Sequence, residues 1–143
     1  MGWFSNNLIE DVEEFLLDMK VSVLDDTTEK EIENIIASKL RKEFERVHQQ
    51  FNVEGYIGLK VDIDVNEEVG IELKLAKDLQ RAHQIHRLFG QAVYYDKRKY
   101  DGNLLVLIVG SNSELKSPVI NEVGEFLEEL GISVVCLKIS KGK

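Results

Sequence analysis

Two segments joined by three polar residues alternate apolar and polar side chains in strict period two. Leu59, Val61, Ile63 and Val65 interleave with Lys60, Asp62 and Asp64; after Asn66, Glu67 and Glu68, the residues Val69, Ile71, Leu73 and Leu75 interleave with Gly70, Glu72 and Lys74. Period two marks half-buried strands, and a short polar link between two of them marks an antiparallel hairpin. With residues 66–68 as the loop, Val65 faces Val69 and Ile63 faces Ile71, so Asp62 is expected opposite Glu72 and Lys60 opposite Lys74. A slip of one position would set Asp62 against Ile71 and mix the faces, which a half-buried sheet resists.

This register gathers charge on one face. Carboxylates in opposed cross-strand positions repel, so Asp62 and Glu72 call for an offset: the ammonium of Lys74, a divalent cation, or both. Hard oxygen donors of this kind suit Mg²⁺, which is commonly held by one or two carboxylates with water and substrate phosphate. A solvated strand face with Lys–Glu pairs of little energetic worth is the alternative that residue type alone leaves open.

Helical spacing surrounds the hairpin. Asn7 with Glu10 reads as a capping box before a helix carrying Leu8, Val12, Phe15, Leu16 and Met19, and Thr28 with Glu31 reads as a second. The second opens a run with Ile32, Ile35, Ile36, Leu40, Phe44 and Val47 on one side, expected to be one long amphipathic helix ending near Gln50. A strand within residues 51–56 is blurred by Gly55 and Gly58. Residues 76–99 read as a helix, 104–109 as a fully buried strand and 132–139 as a closing strand, with a tail from Lys141. Ser117, Pro118 and Gly131 frame a helix between the last two strands. The expected fold is therefore α/β, a mixed β-sheet flanked by helices, in a single domain over residues 1–143 with an N-terminal helical extension over 1–24.

Composition excludes several functions. The lone Cys136 permits no internal disulfide, and no Cys pair has metal-ligand spacing. The 104–109 run is far short of the ~20 residues a membrane span needs, and acids interrupt the N-terminus where a signal peptide is apolar, so no membrane partner and a cytoplasmic location are expected. His83 and His86 stand three apart without a third transition-metal ligand; Ser111 and Ser113 lack a G-x-S-x-G setting; Gly102, Gly110 and Gly131 form no nucleotide fingerprint. Net charge is −8, which argues against a general nucleic-acid coat, yet residues 73–99 carry a local +5 that leaves −13 elsewhere. One basic stretch on an acidic chain can face a polyanion, or simply be the solvated side of a helix.

The hairpin VDIDVNEEVGIELKLAK, with an acidic helix before it and a basic, polar helix after it, resembles the PD-(D/E)xK nuclease superfamily over about residues 28–139. The resemblance implies a restriction endonuclease-like core, α-β-β-(β)-α-β, here with an extra C-terminal α-β and the N-terminal helix. It implies Asp62 as the metal aspartate, Glu72 and Lys74 as the E-x-K pair, the Leu73 backbone carbonyl as a further metal ligand, and Glu33 as the acid contributed by the first core helix. Val61 stands where many members have Pro, and Asp64 is a competing acid two residues on. Gln91 matches a polar residue of the following helix, and Lys77, Arg81 and Arg87 would meet backbone phosphates. The implied activity is Mg²⁺- or Mn²⁺-dependent hydrolysis of DNA through one or two ions; because a fold this small exposes few DNA-reading elements beyond its core, a homodimer or a subunit of a larger complex is expected. A catalytically inactive protein-binding module of the same fold is the other reading.

Overall fold

In the computed structural model, which describes residues 7–53 and 58–141, the hairpin forms in the expected register: Ile63 faces Ile71, Asp64 faces Gly70 and Val65 faces Val69. Its strands are β3 (Lys60–Val65) and β4 (Val69–Leu75). The other described elements are α1 (Leu8–Leu17), β1 (Val21–Val23), α2 (Glu29–Arg41), β2 (Val47–Asn52), α3 (Ala82–Tyr95), β5 (Leu104–Gly110), α4 (Asn112–Leu115), α5 (Pro118–Glu129) and β6 (Ser133–Lys141). The fold is α/β, with six strands in the order β1-β6-β5-β4-β3-β2. From β1 to β4 neighbours are parallel, and β3 and β2 continue antiparallel, so the sheet is mixed.

The two faces of the sheet bury separate cores. Ile71, Leu73, Leu105, Leu107 and Val135 pack with Val12 and Leu16 of α1 and with Ile32, Ile36 and Leu40 of α2. On the other face, Val106 and Ile108 pack with Leu88 and Ala92 of α3 and with Ile120, Val123 and Leu127 of α5. The central strand β5 is buried along its whole length, as a strand covered on both sides must be, which explains its unbroken aliphatic run. Among the described residues no helix is long and apolar enough to cross a membrane.

Helix boundaries follow cap chemistry unevenly. The Thr28 hydroxyl accepts from the Glu31 amide, and the Glu31 carboxylate accepts from the Thr28 amide, closing the expected box. Ser117 and Pro118 open α5, and Gly131 at φ +81 follows it in the left-handed region. Asn7, by contrast, makes no side-chain cap bond, so the first expected box is not formed.

The long helix expected through Gln50 stops at Arg41, and residues 47–52 form β2 against β3. Helical spacing carried through Phe44 and Val47 without a Gly or Pro to interrupt it. The unpaired edge of β3, however, offers a row of backbone partners that helix propensity, worth only tenths of a kcal/mol per residue, does not outweigh. Part of the uncertain strand at 51–56 is thus β2; residues 54–57 lie outside those described, as do 142–143 of the expected tail, whereas Lys141 ends β6 and pairs with Asp25 at 2.8 Å. The helix expected over 76–99 is broken: a 3-10 turn at Ala76–Gln80, extended backbone at Arg81, α3, and a π turn at Asp96–Tyr100.

Asp64 is taken up by the fold. It is fully buried, its Oδ2 accepts from the Tyr100 hydroxyl at 2.6 Å, and its Oδ1 accepts from the Glu67 amide at 2.8 Å. The latter bond braces a turn in which Asn66 and Glu67 both have positive φ. The Tyr100 ring lies over Gly70, where a Cβ would overlap it. Tyr100→Phe should therefore cost about 1–3 kcal/mol in urea unfolding, the penalty for leaving a buried carboxylate short of a donor; an unchanged midpoint would remove this account.

Candidate functional site

The ladder between β3 and β4 ends at Ile63–Ile71, so Asp62 and Glu72 are not the ladder pair that the register predicts, nor are Lys60 and Lys74. The strands part at Asp62, whose Oδ2 accepts from the Leu73 amide at 2.8 Å in place of a backbone carbonyl. Below the split, Ile63 and Val65 lie in the α2-side core, whereas Val61 lies in the α3-side core, so β3 twists across the sheet there. The Tyr95 hydroxyl of α3 donates to the Lys60 carbonyl at 3.0 Å, holding the departing strand. The N–H and C=O of one extended residue point to the same side, so the Leu73 carbonyl faces this gap with its amide.

β4 carries the other groups. Glu72 and Lys74 share a face, their Oε2 and Nζ 3.9 Å apart, at the limit of an ion pair. Glu72 is 3% exposed, and its Oε1 is buried without a hydrogen-bond partner.

Glu33 reaches the same region from α2. It is 4% exposed, with Oε2 accepting from Lys30 at 3.0 Å and Gln49 at 2.7 Å, and Oε1 accepting from Gln50 at 3.0 Å. The Gln50 amide nitrogen also donates to Asp62 Oδ1 at 3.3 Å, so one donor joins the two carboxylates. Gln50 can do this because it stands opposite Asp62 on the neighbouring strand. Gln49 pairs with Ile63 and Phe51 with Val61, so the residues between them, Gln50 and Asp62, face each other across the two strands, with Gln50 at φ +53.

The electrostatics follow from burial and like charge. Burial pushes the Asp62 carboxyl above its ordinary range, against the Leu73 amide that favours its ionised form, while Glu33 adds to the rise. Glu72 is pushed well above the usual range, first by burial and then by the charge of Asp62, with Lys74 opposing. Glu29, one helical turn before Glu33, is raised by burial and feels both Lys74 and Asp62. The Tyr95 phenol is raised by burial, then by Glu72 and Asp62. Four carboxyl side chains, one amine and one phenol are therefore electrostatically coupled.

The sequence-predicted residues separate into two groups. Asp62, Glu72, Lys74, Glu33 and the Leu73 backbone come together at the split. Gln91 sits on α3 one turn before Tyr95, its Oε1 buried and unpartnered. Arg81 and Arg87 are exposed at the start and along α3, and Arg87 is near enough to act on Tyr95. Lys77 instead lines a cleft with Thr27, Ser111 and Lys141 at the ends of the parallel strands. Gln50, Glu29 and Tyr95 were missed. Glu29 had a local signal, its four-residue spacing from Glu33; Gln50 had none, because its role depends on pairing with β3.

As placed, no three or more Asp, Glu, His or Cys side chains among the described residues are gathered closely enough to hold a metal ion. The donor set nevertheless fits a hard cation in kind: two carboxylates, a carbonyl facing the same gap, and an orphaned buried oxygen on Glu72. No protein family, curated protein or solved structure matches the chain.

Gln50→Leu is expected to cost about 1–2 kcal/mol at pH 7, because Glu33 and Asp62 would lose the donor between them. The cost should shrink towards pH 4, as the Asp62 carboxyl, raised by burial, takes up its proton at a higher pH than an ordinary carboxyl does. Urea melts at the two pH values would test this; an equal cost at both would show that amide bridging is not the cause.

Proposed function

We propose that the protein is a Mg²⁺- or Mn²⁺-dependent nuclease with a restriction endonuclease-like fold, hydrolysing phosphodiester bonds in DNA. The observation that carries the reading is the Glu72 carboxylate, buried beside Asp62 and Lys74 with one oxygen left without a partner. Two mutually repelling acids in a buried setting cost stability, and a structural role alone gives no reason to keep them together.

Asp62, Glu72 and the Leu73 carbonyl would hold the ion, with Glu33 beyond the Gln50 amide. When bound, it would polarise the phosphate and lower the pKa of a water ligand. Lys74 supplies fixed positive charge beside Glu72, where negative charge grows on the phosphate oxygens. Arg81, Arg87 and Gln91 contact the sugar-phosphate backbone and set its position without reading bases.

The test is incubation of the whole protein with plasmid, linear and single-stranded DNA and with RNA, in Mg²⁺, in Mn²⁺ and in chelator. Metal-dependent cleavage of DNA is expected. A second reading, a catalytically inactive module with a basic protein partner, is favoured by the −13 charge outside residues 73–99. It predicts no cleavage under any condition and no change in melting temperature with Mg²⁺, and that outcome would replace the nuclease reading.

A further inference from the structure

The outer sides of α3 and α5 leave an apolar groove whose charges are arranged end to end. Ile85, Phe89 and Val93 recur along α3, and Val119 and Phe126 along α5 with Leu130 at its C-terminal cap. The Phe89 and Phe126 rings meet at 4.7 Å between centroids, tilted by 49°, and line both halves of the groove; Phe126 and Leu130 are each 42% exposed. Glu122 and Glu125 rim one end and Lys97 and Arg98 the other, with Glu129 beside Leu130 on the α5 side. Gly90 stands between them in mid-helix, and a Cβ there would meet nothing within 4 Å. A mid-helix glycine costs about 1 kcal/mol relative to alanine, and its bare backbone permits close approach from outside.

We propose that this groove is the interface of a two-fold symmetric dimer, each copy's groove covered by that of the other. A two-fold axis near the Phe89–Phe126 pair turns the groove end for end, setting the acidic end of each copy against the basic end of its partner. A patch that is apolar at the centre and opposite in charge at its two ends is self-complementary under that operation and not under simple translation, which marks an isologous contact. The strip is ~20 Å long and two helices wide, near the low end of specific interfaces, so micromolar dimerisation is expected. Leu88, Ala92 and Tyr95 occupy the inward face of α3, so the contact leaves the acid–lysine group uncovered.

Sedimentation of the whole protein across about 1–200 µM should show a monomer–dimer equilibrium that weakens with salt. Phe126→Glu should abolish the dimer with the circular dichroism melt retained, and Gly90→Glu, placed in open space, should do the same if the first variant folds poorly. Lys97→Glu and Glu125→Lys should each weaken association by about 5-fold or more, and their combination should restore it. A monomer at every concentration, a dimer that survives both groove variants, or charge variants that fail to restore one another would each overturn the proposal.

Discussion

Replacing Lys74 by methionine is expected to lower Mg²⁺-dependent DNA cleavage by about 10²–10³-fold, the usual effect of removing one fixed donor aimed at developing charge. Methionine keeps most of the packed stem of a side chain that is 16% exposed, and the ion pair it breaks spans 3.9 Å, so the fold should be little changed. Asp62→Ala should lose at least as much, since it removes a proposed metal ligand rather than a charge beside one. Single-turnover cleavage with matched thermal melts separates loss of chemistry from loss of structure. Lys74→Met activity within tenfold of wild type would sink the assigned role, and cleavage persisting equally in both variants would point to a co-purifying nuclease.

Glu72→Gln should make the protein more stable while removing its activity. The folded state holds the carboxyls of Glu72, Asp62 and Glu29 above their ordinary values, so the unfolded chain releases these protons first as pH rises. Between the unfolded value near 4.5 and the raised folded value the native state binds more protons, and stability falls with rising pH. Full stability from these groups is present below that window and is lost above it. Glutamine carries no charge to desolvate and can donate to Asp62. It should gain about 1–2 kcal/mol at pH 8, or about 3–8 °C, and nothing near pH 4. Saturating Mg²⁺ should stabilise the wild type through linkage, by about 2.7 kcal/mol at a hundredfold excess over Kd, raising its melting temperature and leaving that of Glu72→Gln unmoved. A variant less stable than wild type at pH 8 would show that the buried acid is already compensated.

Asp62, Glu72, Lys74 and Glu33 were all legible, but not their arrangement. Alternation placed the strand residues on one face and in the right register at Ile63–Ile71, yet the opposed Asp62–Glu72 pair gives way to a split held by the Leu73 amide and the Tyr95 hydroxyl. Asp64, indistinguishable from Asp62 by alternation, is bound to Tyr100 from 36 residues away.

By itself the sequence determined the hairpin and its faces, the Thr28 and Ser117 caps, the buried β5 and the left-handed Gly131, because period, capping and backbone sterics act within a few residues. Only the tertiary structure decided that residues 47–52 are a strand, that Gln50 stands opposite Asp62 and joins it to Glu33, and that Glu29 and Tyr95 join the group. Each of these depends on backbone edges and desolvation supplied by distant segments, which outweigh local preferences worth tenths of a kcal/mol.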